Sequence, residues 1–305
     1  MTQKAFVRFQ DFDFDNSDVH LWVFKRSTTE AKYVASYVRT DEDLDDALIR
    51  FAKHEQERIT EWSPYSYLAE TNQNGCLLVS KDETNFDLLK EAVDEHELDR
   101  SIDDVNQFKR ALGYLVKFVN QSRVVYAVRR SPSTWKTAYR KRGVINAFFR
   151  DGKLSAVEGE EFAIEPNFDF FAFGNFIFVS SKSGFESMMR YRDGYEKAFE
   201  TLQQTQSFTK IFTDIKPMVE YVGKNAMHLK RMATVEQMKL YMKPNFIKAL
   251  QKVNKQNNWG IKFDQNNHII LTAKTMPVIL KVFLDQRLLS EVTHITYDVP
   301  SGVKV

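Results

Sequence analysis

Asp169 and Lys182 are the first pair of residues whose types and spacing invite a reaction. Asp169 sits within the apolar run Phe168 to Phe173, Lys182 follows the run Phe176 to Val179, and Gly174-Asn175 separates the runs. Some metal-dependent nucleases place an acid on one strand and an acid-x-Lys pair on the next. Two carboxylates then hold Mg²⁺ and the lysine positions the attacking water. Here the pair position reads Ser180-Ser181-Lys182, so the second carboxylate is missing unless Glu161, Glu165 or Glu186 substitutes. The competing reading makes Asp169 a turn-bonding carboxylate and Lys182 a solvated cation. An incomplete motif on an analogous fold is weak ground for an activity. The expectation is a non-enzyme without metal or cofactor, with the degenerate nuclease as the alternative.

Other catalytic patterns are missing. The chain has no G-x-x-x-x-G-K-[ST], G-x-G-x-x-G or G-x-S-x-G. The six histidines are far apart, and without cysteine clusters a zinc site is not expected. Cys76, the single cysteine, lies in an apolar run and reads as a small buried hydrophobe rather than a nucleophile.

Cations offer a better-supported chemistry. Arg129, Arg130, Lys136, Arg140, Lys141 and Arg142 interleave with Trp135 and Tyr139. A second series contains Lys210, Lys216, Lys224, Lys230, Arg231, Lys239, Lys243, Lys248, Lys252 and Lys255, with very few acids between them. Lys248, Lys252 and Lys255 share one helix face by spacing. Residues 201–305 hold 15 basic against 7 acidic residues, a net of +8, and the remainder carries −6. Such a face can neutralise phosphates and release counterions, which gives salt-sensitive, sequence-tolerant binding. Trp135 and Tyr139 could stack on bases, although core packing is the stronger reading. The bland alternatives are a solvated surface, or a module that docks an acidic protein, including this chain's own acidic half in a dimer.

The elements that would position these residues follow from pattern. Gly174-Asn175 between two aromatic runs predicts a tight hairpin with strands buried on both faces. Ser183 and Glu186 predict a capping box that opens the next helix, with Met188, Tyr195, Phe199 and Leu202 as its stripe. The acidic first 18 residues read as an arm or edge strand. His20–Phe24 and Lys32–Arg39 read as strands. A helix capped by Thr40 runs to Pro64, Cys76–Val79 is a short strand, and Asn85–Val93 is a helix. Val105, Phe108, Leu112, Leu115 and Val119 step by three and four and predict a helix. Arg123–Arg130, Val144–Phe149 and Leu154–Val157 read as strands. Beyond Phe199 the chain reads as mostly helical, with a helix from Pro244 to Asn257, a hairpin around Asn266-Asn267, a helix at 275–284 and a last strand at 294–299.

The fold class expected is α/β of the α+β type, a mainly antiparallel mixed sheet flanked by helices and followed by a smaller helix-rich region. The division expected is residues 1–202 and 203–305. Of the 305 residues 43% are hydrophobic and 25 are Phe, so an aromatic-rich core is predicted. No signal-peptide pattern opens the sequence, and no apolar run approaches the roughly 20 residues that span a bilayer. A single cysteine suits a reducing compartment, and a cytoplasmic location is expected.

Several of these segments also resemble a family. Tyr126-Ala-Val-Arg-Arg130, Trp135-Lys136, Phe168-Asp-Phe-Phe171, Ile177-Phe-Val179 and Phe185-Glu186 occur in its order. The tail from Leu284 to Thr293 and Tyr297 to Ser301 adds to the likeness. Over roughly residues 100–305 the chain is similar to the KwaB-like proteins, the soluble component of the bacterial Kiwa anti-phage system. The resemblance implies DNA binding in phage defence, with a block on phage replication and late gene expression. It further implies action beside a membrane-embedded KwaA-like partner that recruits the protein to the inner membrane, a homo-oligomeric state such as a dimer, and a link to the host RecBCD nuclease. It brings no catalytic residues. The candidate DNA contacts are Arg129, Arg130, Lys136, Arg140, Lys141, Arg142, Lys230, Arg231, Lys239, Lys243, Lys248, Lys252 and Lys255.

Overall fold

The aromatic hairpin lies inside an eight-stranded sheet. The computed structural model describes residues 2–27, 32–94, 102, 106–136, 147–150, 153–156, 162–289 and 296–299. They form two compact units, Met1–Pro64 with Thr71–Met189, and Tyr65–Glu70 with Arg190–Val305.

The first unit runs α1 (Thr2–Gln10), β1 (Asp18–Arg26), β2 (Tyr33–Val38), α2 (Glu42–Arg58), β3 (Glu61–Pro64), β4 (Gly75–Ser80) and α3 (Phe86–Asp94). It continues through α4 (Asn106–Lys109), β5 (Gly113–Asn120), β6 (Arg123–Arg130), α5 (Ser133–Lys136), β7 (Ala147–Arg150) and β8 (Lys153–Ala156). It ends with β9 (Phe170–Phe173), β10 (Phe176–Val179) and α6 (Lys182–Met188). The strand order is β2-β1-β5-β6-β9-β10-β4-β3, and β7 and β8 form a separate hairpin. Every neighbouring pair in the large sheet is antiparallel except β3 with β4. The structure is thus the mainly antiparallel mixed sheet with flanking helices that the sequence predicts.

Each face of the sheet needs an apolar cover because β9 and β10 are apolar on both sides. On one face Phe9 stacks on Phe178 at 4.4 Å and meets Phe171 at 5.2 Å, while Phe12 meets Phe173. Leu48 and Ala52 of α2 join the same core. On the other face Phe170 contacts Phe86 of α3 and Phe185 of α6. Gly174 has a φ of +58°, the left-handed value that the turn requires.

Four expectations are corrected. Residues 2–10 form a helix rather than part of an arm or edge strand. Phe6 and Phe9 share one side of it and are buried, and the acidic run begins only after its end. The helix read over 105–119 is a one-turn helix followed by a strand, β5. Its steps of three and four fit a helix, but Tyr114, Val116 and Phe118 fill the gaps, and a strand between β1 and β6 buries both faces. The helix begun near Thr40 is capped by Asp41, whose carboxylate accepts from Leu44 N–H, and it ends at Arg58. Trp62 and Pro64 lie in β3. At α6 the N-cap is Ser181 rather than Ser183, and its side chain makes no capping bond, while Glu186 faces Lys182 at 3.8 Å.

The second unit contains α7 (Tyr191–Gln204), α8 (Gln206–Thr209), α9 (Lys216–Val222), α10 (Ala226–Met238) and α11 (Phe246–Asn257). After these come β11 (Lys262–Phe263), β12 (Ile269–Ile270), α12 (Met276–Phe283), β13 (Arg287–Leu289) and β14 (Thr296–Asp298). Phe199, Leu202, Phe208, Met232, Ile269 and Phe283 belong to its own core, on which Tyr67 and Leu68 also pack. Pro217 lies in the first turn of α9, where its missing N–H costs nothing. Among the described residues no helix is long and apolar enough to cross a membrane.

Candidate nucleic-acid interface

The clearest cationic surface is built by α11. Asn245 and Asn258 flank it at φ of +62° and +51°, conformations that asparagine tolerates better than most residues. Phe246, Leu250 and Val253 recur at steps of four and three and form the apolar side. Leu250 is buried, and Phe246 meets Phe283 at 5.2 Å. At about 100° per residue, Lys248, Lys252 and Lys255 fall within an arc of about 60° on the opposite side. All three are exposed, none is ion-paired among the described residues, and no acid occurs in the helix. Lys255 lies in the last turn, where the helix dipole favours a cation.

Of the other candidate contacts in this unit, three are less available. Lys239 is paired with Glu236 at 3.2 Å, and Lys230 and Arg231 are half-buried on α10. Lys243 is exposed just before α11.

In the first unit the Arg129 side chain and the Arg130 backbone are tied into the sheet. The register Val128↔Phe170 sets Arg129 opposite Asp169. Arg129 donates to Asp169 at 3.2 Å and to Glu165, while the Arg130 N–H donates to Asp169 at 2.6 Å. Asp169 is 2% exposed, and its backbone carbonyl accepts from Ser180 and Ser181 N–H. Burial pushes its carboxyl above the usual range, and the Arg130 amide, the Arg129 charge and the Ser181 hydroxyl act in the opposite direction. Gly184 packs so closely that a Cβ there would sit 2.3 Å from this carboxylate. Asp169 is therefore a junction between β6, β9, β10 and α6.

Two clefts border Arg129. One, of about 390 Å³, is lined by Arg130, Ser131, Ser133 and Ser183 among others. The other, of about 640 Å³, is lined by His54, Arg58, Asn72, Asn167 and Ser180 among others. The Arg130 side chain is exposed. Trp135 is 2% exposed, donates its ring N–H to Ala163 C=O at 2.7 Å and stacks on Tyr114, so its faces serve the core. The Lys136 side chain, Tyr139, Arg140, Lys141 and Arg142 lie outside the described residues.

The pair considered for nuclease chemistry is dispersed among other partners. Lys182 meets Glu186, Asp169 is held as above, and no metal-binding group of three His, Cys, Asp or Glu occurs among the described residues. Burial pushes the Cys76 thiol up to about 12, which keeps it protonated at neutral pH. The sequence pattern did not reveal Glu165 as a partner of Arg129. The two are 36 positions apart, and only strand register brings them together.

A family model described as Kiwa protein KwaB-like matches residues 108–293. Neither the curated proteins nor the solved structures compared contain a match. The matched span covers well over half of the chain, from the strands that hold Arg129 and Asp169 through α11 and α12. It also contains the motifs from Tyr126 to Glu186 that carried the resemblance, and on that ground the chain belongs to the KwaB-like family of the Kiwa anti-phage defence system.

Proposed function

We propose that the protein acts in phage defence by binding duplex DNA without sequence preference, through the exposed lysines of α11. The observation that carries this reading is the acid-free arc of Lys248, Lys252 and Lys255. Three mobile ammonium groups on a rigid helix suit phosphates at variable positions. They lack the fixed fork by which arginine reads base edges, so sequence tolerance follows. In this reading a dimer of the protein works beside a membrane-embedded KwaA-like partner, and bound phage DNA is withheld from replication and late transcription. Contact with the host RecBCD nuclease belongs to the same proposal.

Retention of a duplex by the purified chain, measured over a salt series, tests it. Wild-type affinity should fall steeply with salt. Changing Lys248, Lys252 and Lys255 together to Glu should abolish retention at moderate salt. Changing them to Gln should lower the slope of log affinity against log salt by roughly 2.7, if each neutralises one phosphate. Unchanged retention in a folded triple variant would reject this face. No retention by wild type even at low salt would leave the lysines to an acidic protein partner.

A further inference from the structure

The apolar side of α11 does not close completely over the core. Phe246, Leu250 and Val253 form one wall of a pocket of about 220 Å³, and Val282 of α12 forms another. Sites for drug-sized molecules begin at roughly 300 Å³, so this space suits a single ring system rather than a whole nucleotide.

Trp259, which follows α11, lines the same pocket and is half-buried. The Arg287 guanidinium lies over its ring at 5.0 Å and is paired with Asp298 at 3.1 Å, which steadies both groups. The indole N–H bonds to no described residue. An aromatic ring beside a cationic surface is a platform for unpaired bases, because every base has a π-face. Trp135 serves the core instead, whereas Trp259 keeps part of its surface open.

Two charges at the pocket sort the parts of a nucleotide. Lys243 and Asp285 both line it and are exposed, and their charged groups pair with no described residue. Lys243 attracts a phosphate. Asp285 repels one, yet its carboxylate accepts the exocyclic N–H groups that cytosine, adenine and guanine carry. A base is therefore admitted where a phosphate or a carboxylate is turned away.

The helix itself connects the pocket to the lysines. Ala249 is exposed and lines the pocket. At about 100° per residue it lies about 60° round the axis from Lys252 and about 40° from Val253, so it forms the rim between the cationic side and the apolar side. Bases inside a duplex are paired and stacked and cannot enter such a space without being flipped out.

We propose that this pocket takes one unpaired base of a DNA strand whose phosphates rest on α11, so that the protein distinguishes single-stranded from duplex DNA. The proposal rests on the reading of α11 as a DNA-binding face and adds a base-sized contact to it.

Fluorescence anisotropy of a labelled oligodeoxycytidine strand and of a short blunt duplex, each titrated with the full chain, tests the pocket. Trp259→Leu keeps the site apolar but removes the platform. It should weaken strand binding about tenfold and leave duplex binding unchanged. Ala249→Met narrows the rim from an exposed helix position without altering a core residue, and should have the same effect. The strand should also quench the indole emission of wild type, and Trp259→Leu should lose that quenching. Strand binding that neither variant weakens, or that both weaken only in step with duplex binding, overturns the proposal while the α11 reading stands. Quenching by a helical peptide rich in Glu and Leu, but not by the strand, also overturns it, because the pocket is then a groove for an acidic protein. Retention of neither DNA form by wild type at low salt rejects the α11 reading and this pocket with it. Loss of both forms in the lysine triple variant, with only the strand affected in Trp259→Leu and Ala249→Met, supports the two together.

Discussion

Gly184 and Gly194 belong to consecutive helices and should respond oppositely to the same substitution. A Cβ at 184 would lie 2.3 Å from the Asp169 carboxylate, which Arg129 and the Arg130 amide hold in place. A Cβ at 194 would meet nothing within 4 Å. Gly184→Ala should therefore cost about 2 kcal/mol from overpacking. Gly194→Ala should gain about 0.8 kcal/mol from helix propensity. Urea unfolding of the two variants checks both signs, and a stabilised Gly184→Ala would show that the junction yields. The Asp169 network is also where the sequence is least informative. Asp169 stands out by type, but its partners lie 39 and 40 positions upstream and nothing local announces them. Knowing that Val128 faces Phe170 would place Arg129 against Asp169 directly, and register is a property of the assembled sheet.

At the scale of elements, legibility tracks how far local pattern and environment agree. The hairpin of β9 and β10 is readable because Gly174 must adopt a positive φ and aromatic runs flank it on both sides. The α11 helix is readable because its lysines and apolar residues separate cleanly around the axis. β5 is misread because a strand buried on both faces shows apolar residues at every spacing, the helical one included. α1 is misread because acidic residues just beyond it dominate the N-terminal composition, while only Phe6 and Phe9 reveal its inner side. Phe9→Ala tests that helix. The ring stacks on Phe178 and touches Phe171, so its removal should cost about 4 kcal/mol. A loss below about 1 kcal/mol in urea unfolding would mean that α1 does not cover the sheet. DNA retention by the folded fraction should be unaffected, since α11 belongs to the other unit.

For the molecule as a whole, the charge asymmetry in the sequence is distributed over two units with separate cores. The acidic N-terminal part contains the sheet, whereas the basic remainder contains α11. The division falls between Met189 and Arg190, where Arg190 takes a φ of +60°, and it includes the excursion Tyr65–Glu70. That excursion is invisible to composition, yet Tyr67 sets its edge on Tyr195 at 5.0 Å and Tyr65 lies 5.4 Å from Tyr191. A fragment of residues 190–305 therefore lacks part of its own core. Its α7 amides should exchange with solvent at least about tenfold faster than in the full chain. Equal protection would show that the excursion contributes nothing.

The same excursion orders events during synthesis. Tyr65–Glu70 leaves the ribosome about 120 residues before Arg190 does. At the usual pace of translation that gap lasts on the order of ten seconds. For that interval two tyrosines and a leucine must wait, inside a chain whose sheet is already assembling, for helices not yet made. The second unit completes its core only by reaching back to a segment delivered long before, so newly made chains offer chaperones a short adhesive stretch that finished molecules partly bury.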